Sequence, residues 1–185
     1  MELVETEIAD VKVLKPKVFQ DARGYFIETY SEHRYQACGI DCHFVQDNES
    51  MSMRGVLRGL HYQVAPHAQA KLIRVVRGAV LDVAVDIRKG SPTFGKYVME
   101  ELSEQNKQQI SIPHGFAHGF LVLEDNTILS YKCDAFYNTQ YERGIRWDDP
   151  QIAIPWPKLD VPFMLSDKDQ KQPFLADIEP FLEMT

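Results

Sequence analysis

Ala79-Val80-Leu81-Asp82-Val83-Ala84-Val85-Asp86-Ile87-Arg88 is the stretch that decides the fold. Its odd positions are all apolar, while Asp82, Asp86 and Arg88 fall on even ones. A period of two is the mark of a half-buried strand. The same alternation spreads outward from it. Lys71 shares parity with Ile73 and Val75, with Arg74 opposite, so a regular strand aims the Lys71 ammonium at the apolar side, where it is costly without a partner. Thr127, Leu129 and Tyr131 alternate with Ile128, Ser130 and Lys132. Further short strands are expected over residues 25–30, 97–102, 110–113 and 119–123. Turn signals such as Arg77-Gly78, Lys89-Gly90-Ser91-Pro92 and Glu124-Asp125-Asn126 separate the strands. Many short strands at this spacing predict an all-β sandwich or jelly roll. Helix is confined to short peripheral pieces, over 31–38 before Gly39 and over 173–182. The proline-rich stretch 148–162 reads as an extended strap over the core.

Size and composition narrow the function. The 185 residues fit a single domain spanning 1–185, and 44% apolar with 25% charged content is ordinary for a soluble globular protein. No apolar run approaches the ~18 residues of a membrane helix. The acidic start Met1-Glu2-Leu3-Val4-Glu5 lacks the features of a signal peptide. Three cysteines cannot all pair, and Cys38-x3-Cys42 has no companion cluster for zinc, so a reducing, cytoplasmic setting is expected. The net charge of −7 argues against a nucleic-acid partner, and no basic run points to a membrane. A small anionic ligand remains compatible through a local patch, for which Arg23, Arg58, Lys71 and Lys168 are candidates.

Two segments carry chemistry. Gly55-Val56-Leu57-Arg58-Gly59-Leu60-His61-Tyr62-Gln63, followed by Lys71, sets an imidazole, a guanidinium, an amide and an ammonium among strand formers and glycines. A proton-transfer group beside cations suits a substrate that develops negative charge, such as an enolate or a phosphate ester. The plainer reading is two strands and a polar turn with His61 hydrogen-bonded in a half-buried wall. Pro113-His114-Gly115-Phe116-Ala117-His118-Gly119-Phe120 forms a tight approach to a strand with His118 at its entry, or else a turn with surface histidines.

Together these segments resemble the paired signatures of the cupin superfamily. Metal-binding cupins place His-x-His and a downstream Glu in the first signature and a His in the second. Here the matching positions are His61-x-Gln63, the neighbourhood of His67, and His118. One histidine is an amide and the carboxylate is missing, which implies a cupin-type jelly roll whose cavity works without metal; a rearranged metal site is the alternative.

The chain is more closely similar to the dTDP-4-dehydrorhamnose 3,5-epimerases. The matching segments are Asp21-Ala22-Arg23-Gly24-Tyr25-Phe26-Ile27-Glu28, Gln46-Asp47-Asn48, Leu57-Arg58-Gly59-Leu60-His61-Tyr62-Gln63, Lys71-Leu72-Ile73-Arg74-Val75 and the His118 segment. Leu129-Ser130-Tyr131-Lys132-Cys133-Asp134, Tyr137, Glu142, Ile145-Arg146-Trp147-Asp148-Asp149-Pro150 and Leu165-Ser166-Asp167-Lys168-Asp169 follow in order. The resemblance implies an isomerase of dTDP-L-rhamnose synthesis that needs no cofactor or metal. Its substrate would be dTDP-4-dehydro-6-deoxy-D-glucose, whose C3 and C5 protons are both α to the C4 ketone.

The resemblance also implies roles. His61 is the base, Asp169 its orienting carboxylate, Lys71 the partner of the enolate oxygen, and Tyr131 the acid at C5. Arg23, Phe26 and Glu28 contact the nucleotide, and Tyr137 stacks on thymine. Gln46, Asn48, Arg58, His118, Glu142 and Lys168 line the pyrophosphate and sugar. The family is homodimeric, with the strand over 23–28 lent to the neighbour. Each residue has a structural rival. Ser166-Asp167-Lys168-Asp169 also reads as a helix cap, with Asp167 two residues from Asp169. Tyr131 also reads as a core aromatic and Lys71 as a snorkelling surface group. Alternatives are an epimerase acting at C3 only or C5 only, a ketoisomerase on a related sugar, and a non-catalytic cupin that binds a nucleotide sugar.

Overall fold

The computed structural model describes residues 1–182. Its strands are β1 (Glu2–Val4), β2 (Lys12–Lys15), β3 (Val18–Asp21), β4 (Gly24–Ile27), β5 (Gln46–Ser52), β6 (Leu57–Gln63) and β7 (Lys71–Arg77). They continue with β8 (Ala79–Asp86), β9 (Tyr97–Ser103), β10 (Gln109–Ile112), β11 (Phe116–Val122), β12 (Thr127–Cys133) and β13 (Glu142–Gly144). One short helix, α1 (Glu32–Gln36), and two 3-10 turns at Asp169–Lys171 and Leu175–Asp177 complete the described elements. A six-stranded sheet in the order β1-β2-β10-β7-β12-β5 faces a five-stranded sheet in the order β13-β6-β11-β8-β9; β3 and β4 pair apart as a hairpin. Every ladder between these strands is antiparallel, as a jelly roll requires.

The two sheets enclose an apolar interior. Ile73 and Val75 of β7 and Leu129 of β12 meet Val80 and Ala84 of β8 and Phe120 of β11. The parity read from β7 and β12 therefore holds, and Lys71 and Tyr131 project from the inward face. Burying one such aliphatic side chain contributes about 1.5–3 kcal/mol.

The opening stretch needs a correction. β8 is not half-buried: both its faces are covered, and Asp82 and Asp86 are fully buried. Its even positions point into the barrel. Its odd positions Val83, Val85 and Ile87 pack in a second core with Ile145, Ile152 and Leu175. The strap is the cause. Asp149 accepts hydrogen bonds from the N–H groups of Gln151, Ile152 and Leu175, holding Ile152, Ile154 and Trp156 over the outer face of β8.

Other expectations shift at their edges. The strand expected over 25–30 is the shorter β4, in an exposed hairpin. The strand expected over 119–123 begins earlier, so His118 lies within β11 rather than at its entry. The helix expected over 173–182 is one 3-10 turn followed by extended chain. Pro173 and Pro180 cannot donate to a helical ladder, and Phe181 instead exchanges backbone bonds with Ile87 and Lys89 while its ring enters the second core.

Candidate functional site

A cavity of about 460 Å³ opens between the sheets at the end where β7 begins and β12 finishes. Each wall follows from strand parity. On β5, alternate residues Gln46, Asn48 and Ser50 face in, with Asn48 directly opposite Tyr131 of β12. Lys71 faces in from the adjoining strand. The other sheet contributes Arg58, His61 and Gln63 from β6, His118 and Phe120 from β11, and Glu142 from β13.

Arg58 and His61 should not share a face, because residues three apart on a regular strand point opposite ways. A bulge resolves this. β11 advances two residues, from His118 to Phe120, while β6 spans three, from His61 to Arg58. The extra residue falls beside Gly59, whose φ of +130° and close approach to Gly119 admit no side chain: a Cβ there would lie 2.5 Å from the Gly119 Cα. The bulge thus turns both the guanidinium and the imidazole into one cavity.

His61 Nε2 lies 2.5 Å from Asp169 Oδ1. The strap's return delivers this carboxylate: Met164 exchanges backbone bonds with Gly55 and Leu57, and the chain then turns at Ser166. Ser166 Oγ accepts a hydrogen bond from the Asp169 N–H, so the capping turn and the histidine contact coexist. Burial pushes the Asp169 carboxyl up, but the His61 hydrogen bond and charge, with Ser166 and Lys168, outweigh it and hold Asp169 below the usual carboxylate range. With Asp169 ionised, Nε2 carries the ring proton and Nδ1 is left as the free nitrogen. Asp167 is exposed.

Across the cavity, Lys71 is only 8% exposed. Burial pushes its ammonium pKa down, against the opposing pull of Cys133, Asp134, Asp82 and Glu142. Burial likewise raises the Tyr131 phenol, with Cys133 and Glu142 adding to the rise and Arg58 opposing it, so Tyr131 remains a protonated donor at neutral pH. At the mouth, Glu142 accepts from the Tyr137 hydroxyl at 2.7 Å and pairs with Lys168 at 2.5 Å. Burial raises Glu142, but those two partners and His61 leave it below its ordinary value.

The sequence reading missed Asp82. Its Oδ2 accepts a hydrogen bond from His118 Nε2 at 2.9 Å, and its Oδ1 has no partner. Taken as the polar side of a half-exposed strand, Asp82 gave no signal; it is an interior group because the even face of β8 is the one turned into the barrel. Ser50, Gln69 and Phe120 also line the cavity unforeseen. Three expected residues lie elsewhere in this chain: Arg23, Phe26 and Glu28 sit on or just after the β3–β4 hairpin, where Arg23 pairs with Asp21 and Glu28 with Arg34. Among the described residues, no three His, Cys, Asp or Glu side chains are grouped to hold a metal ion.

Comparison with known proteins identifies the family. The family model for dTDP-4-dehydrorhamnose 3,5-epimerase matches residues 5–177. The dTDP-4-dehydrorhamnose 3,5-epimerase of Shigella flexneri is 51% identical over 98% of this chain and 100% of its own length. That of Pseudomonas aeruginosa is 50% identical, covering 98% of this chain and 99% of its own. The structure of dTDP-6-deoxy-D-glucose-3,5-epimerase from Legionella pneumophila Philadelphia 1, in complex with dTDP-4-keto-L-rhamnose, superimposes with a TM-score of 0.95 at 45% identity, covering 100% of this chain and 99% of that one. With the match running almost end to end in sequence and in fold, this chain belongs to the dTDP-4-dehydrorhamnose 3,5-epimerase family.

Proposed function

We propose that this protein inverts C3 and C5 of dTDP-4-dehydro-6-deoxy-D-glucose by base-catalysed enolisation, giving dTDP-4-dehydro-L-rhamnose. The observation that carries the reading is the His61–Asp169 couple on one sheet facing Lys71 and Tyr131 on the other, inside one cavity. His61 Nδ1 removes the proton α to the C4 ketone, and Asp169 stabilises the imidazolium that results. The electron pair moves onto the C4 oxygen, where the Lys71 ammonium, shielded from water, offsets the charge far better than an exposed lysine could. Reprotonation from the opposite side inverts the carbon. At C5 the Tyr131 phenol, on the wall facing His61, gives that proton.

Arg58, Lys168 and His118 suit the pyrophosphate and sugar oxygens, with Gln46, Asn48 and Glu142 completing that wall, and Tyr137 suits stacking on the base. The reaction calls for no metal, because the Lys71 ammonium can offset the charge on the C4 oxygen that a metal ion would otherwise offset. Nuclear magnetic resonance of the product tests the whole reading. The L-rhamno configuration should form at an undiminished rate in EDTA. A product inverted at one carbon only, or activity restored by one divalent ion after chelation, would overturn it.

The protein works as a homodimer in which the β3–β4 hairpin completes the neighbour's site. Phe26 is 68% exposed on a hairpin paired to neither sheet, beside exposed Phe19 and Tyr25, which supports a covering partner. Hybrid dimers check this. Mixing inactive Arg23→Ala with inactive His61→Asn should restore roughly a quarter of parental activity, since hybrids hold one intact site. No restoration would place Arg23 outside the partner's site.

A further inference from the structure

The loop between β12 and β13 carries Tyr137, yet Ala135–Asn138 makes almost no ladder bonds of its own. Glutamine side chains hold its backbone instead, one residue after another. Gln69 Nε2 donates to the Ala135 carbonyl at 2.7 Å, and Gln63 Nε2 to the Phe136 carbonyl at 3.4 Å. The Tyr137 N–H donates to Gln46 Oε1 at 2.9 Å, and the Asn138 N–H to Gln63 Oε1 at 2.6 Å. Gln63 is the hub. Only 4% exposed, it also donates to the His67 carbonyl at 2.7 Å, tying the 64–67 turn to the same loop.

We infer that Gln46, Gln63 and Gln69 form an amide clamp that shapes the loop in advance of nucleotide binding, making Gln63 and Gln69 positioning residues for base recognition. The inference rests on the proposed function for the identity of the ligand. The chemistry favours an amide at position 63 specifically. One amide donates to carbonyls and accepts from an N–H at once, whereas a carboxylate could only accept. A clamped loop meets the base without first losing its own freedom, so the clamp acts on affinity for the nucleoside and not on the proton transfers. The residue standing where a metal-binding cupin has a histidine thus holds the loop that grips the ligand.

Calorimetry with two probes tests this. Thymidine diphosphate engages both the loop and the cationic wall; inorganic pyrophosphate engages the wall alone. Gln63→Leu should weaken thymidine diphosphate about tenfold, the scale of losing buried hydrogen bonds, while pyrophosphate affinity holds. KM for the keto-sugar should rise in step with kcat near the parental value. Gln63→Glu, which keeps the Asn138 bond but sets a carboxylate against the His67 and Phe136 carbonyl oxygens, should lose at least as much as Gln63→Leu. Gln69→Leu, at the loop's margin, should show the same selective loss on a smaller scale and keeps the test valid if Gln63→Leu folds poorly. Equal loss of both probes in Gln69→Leu, or no loss in either leucine variant, overturns the clamp. A parental protein that binds pyrophosphate but not thymidine diphosphate would instead overturn the proposed function.

Discussion

Two histidine–aspartate couples face the same cavity from neighbouring strands, with His61 and His118 directly paired across the ladder. They are built in opposite ways. Asp169 comes from a distant 3-10 turn, and its histidine side chain is 30% exposed. Asp82 lies in the strand beside His118, and the couple is 9% and 0% exposed. The first has a free ring nitrogen within reach of a substrate, as a base requires. The second is almost fully buried, reaching the cavity only through the edge of His118, and one carboxylate oxygen is left without a partner. A buried, half-satisfied carboxylate lowers stability. Its benefit is electrostatic, because Asp82 helps keep Lys71 charged in a desolvated wall. Under the proposed function, one couple moves protons and the other fixes a field.

His61→Asn should show the largest effect, lowering exchange of the C3 and C5 protons together by about 10³–10⁴-fold, near the upper range for a general base. Asp169→Asn should lower both by on the order of 10²-fold with melting temperature little changed; a large drop in stability with normal rates would make the residue only a cap. Tyr131→Phe should still exchange protons with solvent but slow inversion at C5 by roughly 10²-fold, so that a C3-inverted product accumulates. Formation of the L-rhamno product at the parental rate would make Tyr131 structural.

Asp82→Asn gives the sharpest contrast, because activity and stability should move in opposite directions. Loss of this half-satisfied buried carboxylate should leave stability equal or higher, while the rate falls about tenfold as Lys71 loses a neighbouring anion. The high-pH limb of the rate profile should move to lower pH, since Asp82 raises the Lys71 pKa in the parent. A destabilised variant with an unmoved limb would make this couple purely structural.

Asp86, four residues on, supplies the smallest effect and a control far from the chemistry. Burial raises its carboxyl, but Arg88, Ser91 and Thr93 overcome this and hold it at about 2. A depressed carboxylate adds stability above its unfolded pKa, and that share disappears as pH falls through the folded value. About 2 kcal/mol should therefore vanish between roughly pH 4 and pH 2 in the parent and not in Asp86→Asn, read by denaturant unfolding across that range.

The couples also mark what a linear sequence can tell. Lys71 and Tyr131 were legible because β7 and β12 pair in unbroken register from Leu129–Val75 to Cys133–Lys71, and parity over that stretch turns both inward. Asp82 was not, because the even face of β8, polar in the sequence, is the one turned into the barrel, and only the stacking of the two sheets decides that. Strand parity sets Arg58 and His61 on opposite faces, and the bulge at Gly59 that joins them is a property of two paired strands. Asp169 and Asp167 were indistinguishable in sequence. The turn capped by Ser166 buries one and exposes the other. Of the hairpin over 18–27 only one strand, over 25–30, was expected from the sequence, and under the proposed function its place in a site depends on a second chain.

Deuterium labelling tests the central claim most directly. In deuterated water with dTDP-4-dehydro-6-deoxy-D-glucose, the parental protein should give product carrying deuterium at both C3 and C5, and His61→Asn should leave both carbons protonated. Label at one carbon only, or label that persists at either carbon without the imidazole, would contradict a single His61–Asp169 base serving both centres.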